Sequence, residues 1–468
     1  GSVSITAVAS EPLAVVPTIF IDQQGTSDLN PAVSMAVTVP GTTFTYVRTV
    51  VTDDGTTNRD GSAIVRVFGT DQYGNTTAAG TNPRSGATFT IDTTPPVVAF
   101  AYAITSSVPA NATAAAALTY YPAATRPVKD GDILVVKAIT TEVVGLAGAL
   151  SLSLTGSRAI TPLETYSATS SVGITYFTHT VAAGNDGTVT ASATATDLAG
   201  NTATTSGTTT FIVDTTPPAA PTALALTAAG GTNQVANALN GLNTNFTVSA
   251  TITGDVGTAG GTAELLVDGT AFTPRVIASV ANGATAVSLT PSFTAKTAVQ
   301  AAIAEGTRSL TVRLTDSAGN TATSNTLAVL ADYTPPTPSV SRLNAQLTRL
   351  TPAYSVTFSE PVSGVVATNF AVTKGTGISG SESIGISSST PPTTAYTITV
   401  GNLTGNYGVN SNATFDLLLK PSAAPITDAA GNIWTGADAN ANLPYQIDTV
   451  RPTVTSITSS DSGAKKEG

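Results

Sequence analysis

Carboxylates at repeated positions have the most chemistry to offer in this chain of 468 residues. Four D-x-x-G-N runs begin at Asp71, Asp197, Asp316 and Asp428. Each is followed by an aspartate that opens a proline-bearing segment: Asp92, Asp214, Asp332 and Asp448. Hard oxygen donors suit Ca2+, which takes six to eight of them, with carbonyls and water completing the set. Zinc or copper would want the thiolate or imidazole donors that are scarce here. A purely structural reading stands beside this one. Asp in the first place and Gly in the fourth are what a type I turn prefers, and such aspartates cap hairpins and bind nothing.

Other chemistries are thinly supplied. The single histidine, His179, lies in the alternating run 175–181 and reads as a strand residue. There is no cysteine, so no disulfide or thiolate site is available, and no second His or Cys exists to build a nucleophile pair. No glycine-rich phosphate loop passes from a strand into a helix. Paired carboxylates at the same turn in every repeat argue for a scaffold rather than one active centre, so no enzyme is expected. Trp434 and Tyr445 would suit a sugar-binding platform, but a lone tryptophan more often packs in a core or along an edge.

The totals point the same way. A net charge of −10 discourages a nucleic-acid partner. Hydrophobic residues make up 41% and charged residues 10%, which is not the composition of a disordered chain. Threonine, serine, alanine and valine dominate and favour pleated strands over helices. No apolar run approaches the roughly 18 residues of a membrane helix. No signal peptide is visible, which suggests a mature or excised fragment.

The elements that position the carboxylates follow from the period. The linker aspartates recur about every 120 residues, long enough for each repeat to bury its own core. The expected boundaries are 1–92, 93–214, 215–332 and 333–448, with 449–468 left over. In the second repeat, strands are predicted at 97–102, 133–139, 175–181, 189–196 and 208–213, with turn residues between them. Asp186-Gly187-Thr188 opens one of these strands, and Asp60-Gly61-Ser62 and Glu305-Gly306-Thr307 recur at matching places. Tandem prolines remove donors and fix φ, so each linker reads as short and stiff.

The strings Ala195-Thr196-Asp197-Leu198-Ala199-Gly200-Asn201-Thr202, Asp92-Thr93-Thr94-Pro95-Pro96 and Phe358-Ser359-Glu360-Pro361-Val362 resemble the tandem bacterial immunoglobulin-like repeats of large cell-surface adhesins and S-layer-type proteins. The resemblance covers nearly the whole chain. It implies an all-β, tandem array of four immunoglobulin-like antiparallel β-sandwiches joined by short Asp-Thr-Thr-Pro-Pro linkers, extracellular display at the cell surface, and calcium at domain junctions. In such a sandwich the loops after the second and sixth strands share the pole where the chain enters. That topology would gather Glu142 and Asp197 around Asp92, Asp255 and Asp316 around Asp214, and Glu360 and Asp428 around Asp332. The third repeat departs most, with Thr253-Gly254-Asp255-Val256 where the fourth has Ser359-Glu360-Pro361-Val362.

The two ends do not match. Ser4-Ile5-Thr6-Ala7 aligns with Ser355-Val356-Thr357-Phe358, and Glu11 with Glu360 after a two-residue slip. The first repeat therefore reads as lacking its first strand, and 449–468 as an orphan first strand. Strand addition from another copy would complete the first sandwich, with Asp448 joining Glu11 and Asp71 in a fourth junction. A slice of a longer repetitive chain, or a boundary chosen for convenience, explains the same facts. The functional expectation is a rigid, calcium-stabilised head-to-tail filament, an extracellular fibre or stalk whose partners are other copies of itself. The alternatives are a ligand-binding adhesin segment, with a surface glycan or protein as target, and an S-layer lattice protein.

Overall fold

The computed structural model describes residues 1–23, 33–54, 60–77, 88–141, 150–156, 164–167, 173–348, 351–458, 460 and 463. The alternation in the sequence sets the local structure. In Gly187–Thr196, Val189, Ala191, Ala193 and Ala195 point inward while the threonines and serine between them face out, the period-two pattern of a half-buried strand. Facing threonines pair across the hairpin, Thr194 with Thr204 at 3.1 Å and Thr196 with Thr202 at 3.0 Å. Among the described residues the chain is nearly all β, with two short helices, Ala112–Ala116 and Lys296–Ala302, and one 3-10 turn. Neither helix was expected. Ala112–Ala116 is started by Asn111, whose side chain accepts from Ala114 N, the usual work of an N-cap.

The chain divides into two compact units, Gly1–Thr216 with Ala318–Asn320, and Pro217–Ser317 with Thr321–Gly468. The first unit contains two pairs of small sheets. One pair is Ser2–Val8/Thr43–Thr49/Ala36–Val39 and Val33–Ser34/Thr18–Gln23/Gly61–Phe68/Thr88–Ile91, around Ile19, Ile21, Phe44, Val65 and Ile91. The other is Glu164–Ser167/Ile174–Thr180/Ile133–Thr140/Val98–Thr105 and Leu150–Gly156/Gly187–Thr196/Thr202–Val213, around Tyr102, Leu134, Phe177 and Phe211.

The second unit is built in the same way. Thr222–Ala229/Asn245–Thr251/Ala286–Leu289 shares a core of Phe246, Leu265, Leu310 and Val312 with a sheet centred on Gly306–Thr315. Pro338–Arg342/Ala353–Val362/Thr393–Gly401/Ser383–Ser388 and Leu347–Thr348/Tyr445–Ile447/Thr414–Leu419/Phe370–Lys374 share another, with Tyr354, Phe358, Phe415 and Tyr445. Each large apolar side chain removed from water in these cores contributes roughly 1.5–3 kcal/mol.

One strand breaks the pattern. In three of the sheet pairs the strand that follows a proline linker adds to the edge of a sheet: Val98–Thr105 on Ile133–Thr140, Thr222–Ala229 on Asn245–Thr251, and Pro338–Arg342 on Ala353–Val362. Ser2–Val8 pairs only with Thr43–Thr49 and has an open outer edge among the described residues. Its inward residues Val3, Ile5 and Ala7 are half-buried, whereas Tyr354, Val356 and Phe358 on the matching strand are buried.

Candidate metal centre and linker clamps

The D-x-x-G-N turn is self-contained. Asp428 Oδ1 accepts from the backbone N–H groups of Ala430, Gly431 and Asn432 at 2.7–2.9 Å, and Oδ2 accepts from Asn432 Nδ2 at 2.7 Å. Asp71 and Asp197 hold Asn75 and Asn201 in the same way. The glycine lies at φ +93° in the last of these turns, a conformation that only glycine adopts without strain. In these three turns the aspartate accepts hydrogen bonds from its own turn.

The asparagine of the turn reaches further. Its amide also donates to the carbonyl of a linker aspartate about a hundred residues away: Asn201 to Asp92 O at 2.9 Å, Asn320 to Asp214 O at 2.9 Å, and Asn432 to Asp332 O at 2.8 Å. Asn432 Oδ1 also accepts from Gly241 N at 2.7 Å. No role is assigned to this asparagine from the sequence, and nothing local signals its long-range contact.

A second clamp comes from the acid that opens a late strand. Asp60 accepts from Thr93 N, Thr93 Oγ1 and Thr94 Oγ1 at 2.7–2.9 Å. Asp186 accepts from Thr215 N, Thr215 Oγ1 and Thr216 Oγ1 at 2.6–2.9 Å. Glu305 does the same for Tyr333 N at 3.1 Å and Thr334 Oγ1 at 2.9 Å. Burial works to raise the pKa values of Asp60 and Asp186, but the threonine hydrogen bonds outweigh it and hold both below the usual carboxylate range. The signal was present in Asp60-Gly61, Asp186-Gly187 and Glu305-Gly306, whose acids had been read only as strand openings.

One group of carboxylates is crowded together despite such donors. Asp332 in the linker, Glu360 on Ala353–Val362 and Asp428 in the turn bring ligand oxygens within 4.8 Å of one another, and they form the single group of three among the described residues. Burial, and then the charges of Asp332 and Asp428, push Glu360 up to about 7. Asp332 is raised by burial and by the charges of Asp428 and Glu305, despite a hydrogen bond from Thr334 N. Three half-buried or buried acids in contact repel unless a proton or a cation lies among them. The donor set is oxygen only, and it fits a hard divalent ion.

The other expected sites are placed differently. Asp92 and Asp197 lie in the first unit, joined through Asn201, while Glu142 lies outside the described residues. Asp214 belongs to the first unit and Asp255 and Asp316 to the second. Asp255 is exposed and accepts from Thr253 Oγ1 at 2.7 Å and Ala219 N at 3.0 Å, which hold its charged form and lower its pKa. Asp71 is buried in its own turn and Glu11 is exposed. Asp448 is half-buried and accepts from Val450 N at 3.2 Å. Trp434 and Tyr445 are core residues, Trp434 packing edge-on to Phe358 at 5.8 Å. His179 lies on the strand Ile174–Thr180.

No family model matches the chain, and no curated protein matches it. Among solved structures, a 1.5-MDa bacterial ice-binding adhesin is similar over 68% of this chain and 91% of that one, at 18% identity and a TM-score of 0.25. A marsupial T cell receptor is similar over 71% and 99%, at 11% identity and 0.26. BcpA, the major pilin subunit of Bacillus cereus, is similar over 71% and 99%, at 9% identity and 0.15. Scores this low carry no argument, and the reading below rests on the geometry. No helix among the described residues is long and apolar enough to cross a membrane.

Proposed function

We propose that the chain is a non-enzymatic structural element, a string of four immunoglobulin-like sandwiches that serves as an extracellular fibre or stalk. On this reading its copies join head to tail, and Ca2+ stiffens the joint at Asp332, Glu360 and Asp428. The observation that carries it is the linker clamp used three times over, an acid on the threonine or tyrosine side and a turn asparagine on the aspartate carbonyl. A flexible tether would need neither contact. Anything that binds only the ordered joint stabilises it further, by about 2.7 kcal/mol at a hundredfold excess over its dissociation constant. The adhesin alternative loses the residues on which it leaned, because Trp434 and Tyr445 are buried.

Calorimetric titration of the whole chain with CaCl2 tests the metal. Uptake is expected, and Glu360→Gln should abolish it because that side chain has no part in the turn. Asp255→Asn should leave it intact. An absence of heat at millimolar Ca2+ would remove the ion and leave a joint held by hydrogen bonds alone.

A further inference from the structure

The first D-x-x-G-N turn differs from the others in what it touches. Asn75 Nδ2 donates to Asp71 Oδ2 at 2.7 Å, and among the described residues it meets no linker carbonyl. Asn320 and Asn432 are buried, whereas Asn75 is exposed. The residue two places into the turn is fully buried at Ala318 and Ala430 and exposed at Ala199, and in the first turn it is a large aromatic, Tyr73, 88% exposed. Leu13, just after the strand Ser2–Val8, bridges Asp71 of this turn, and among the described residues that strand leaves its outer edge unpaired over half-buried Val3, Ile5 and Ala7. An open edge is a template for another strand.

The second unit carries parts that match. The Asp448 carbonyl receives no hydrogen bond from the described residues, although its neighbours are held by Gly405, through Thr449 N at 2.8 Å, and by Tyr407 N on Ile447 O at 3.0 Å. Beyond it, 451–458 is exposed and pairs with no strand, with Val454 at 80% and Ile457 at 91% exposure. Val454 stands six residues after Asp448, as buried Val98 stands six after Asp92. Inside the chain, a segment in this position after a linker always becomes the edge strand of the next sandwich.

We infer that the open edge Ser2–Val8 and the Asp71–Asn75 turn form a docking seat for residues 448–457 of a second copy of this chain. The segment adds as an antiparallel strand. Asn75 donates its second amide hydrogen to the Asp448 carbonyl of that copy, and Val454 turns inward over Ile5 and Ala7. Transfer of the Val340–Val356 register, with Ile5 at the place of Val356, sets Thr455 opposite Thr6 on the outer face. This contact is heterologous and does not close on itself, so it propagates. The inference rests on the fibre reading and names its joint.

Because the chain has no cysteine, paired single substitutions report the contact without background. Thr6→Cys chain and Thr455→Cys chain are oxidised separately and mixed, then resolved without reductant. The mixture should give a dimer band at least tenfold above either variant alone. Val454→Asp placed in the Thr455→Cys chain, at a position already exposed, should cut that band at least tenfold. Asn75→Ala in the Thr6→Cys chain should cut it severalfold. A mixture no richer in dimer than its components overturns the seat. So does a Thr6→Cys/Thr455→Cys double variant that closes within one chain at a rate independent of concentration. The calcium titration is read at a different joint, so cross-linking that fails while the heat persists removes the docking alone.

Discussion

The joints at Asp92 and Asp332 are made from the same parts and end in opposite electrostatic states. At the first, Asp60 is surrounded by donors from Thr93 and Thr94, Asn201 holds the Asp92 carbonyl, and the Asp60 carboxylate is more comfortable charged than in water. At the second, Asn432 and Glu305 repeat both clamps, but Glu360 is added and Asp428 lies close enough to repel it. Hydrogen bonds hold the linker residues in both joints. Among the described residues, only the second gathers three acids that ask for a counter-ion, so the second should respond to chelators.

The sharpest way to break the comparison is to remove the turn it depends on. Asp428→Ala strands three buried backbone donors and the Asn432 amide at once. Leaving buried donors unmet costs about 1–3 kcal/mol each, and less than the sum when they share one acceptor. The second unit should lose about 3 kcal/mol or more, read as a lowered urea midpoint. An unchanged midpoint would mean that the turn is not a keystone. Asn432→Ala should cost about 2 kcal/mol, whereas Asn75→Ala in the free chain should cost well under half as much, because the amide there has only Asp71 to lose.

The pH response should separate the joints in sign. Glu360 is raised to about 7, so between its unfolded value near 4.5 and 7 the native state binds more protons than the unfolded one. Stability of the second unit in chelator should therefore fall as pH rises through that window and level off above it. Glu360→Gln should flatten the slope, and Ca2+ should do the same in the parent chain. Asp60 and Asp186 are depressed, so their contribution is complete above pH of about 4 and is lost only as pH falls further, through their folded values. A second unit that gains stability from pH 5 to 7 without metal would contradict the repulsion assigned to its three acids.

How much of this could be read from the residues depended on how far each contact reaches. Strand alternation, the D-x-x-G-N turns and the strand beginning at Gly187 are short-range patterns, and they were legible. The asparagine clamp was not, because the linker carbonyl lies about a hundred residues from the amide and nothing local distinguishes a capping asparagine from a reaching one. Asp60, Asp186 and Glu305 were visible as strand openings, yet their threonine partners became adjacent only once the last strand had folded back. Glu360 was identified by its place beside Asp428 in the expected topology. The same topology names Asp255 as a metal ligand, and the chain gives that carboxylate hydrogen bonds from Thr253 Oγ1 and Ala219 N.

The smallest effect sharpens the contrast most cleanly. Thr216→Val keeps the shape of the side chain and removes one hydroxyl donor from Asp186, leaving the Thr215 contacts in place. Thr216 is exposed, so water can replace the lost donor, and the cost should be about 0.5–1.5 kcal/mol. If the clamp works by stabilising the charged acid, that loss should shrink as pH falls below the usual carboxylate range and through the depressed folded value of Asp186. A loss that stays constant with pH would assign the hydroxyl to packing instead. Thr334→Val removes the matching hydroxyl from Glu305 at the joint where Asp332 and Glu360 are raised, and supplies the second arm of the comparison. The ratio of the two pH dependences then measures how far the joints differ in charge while sharing one geometry.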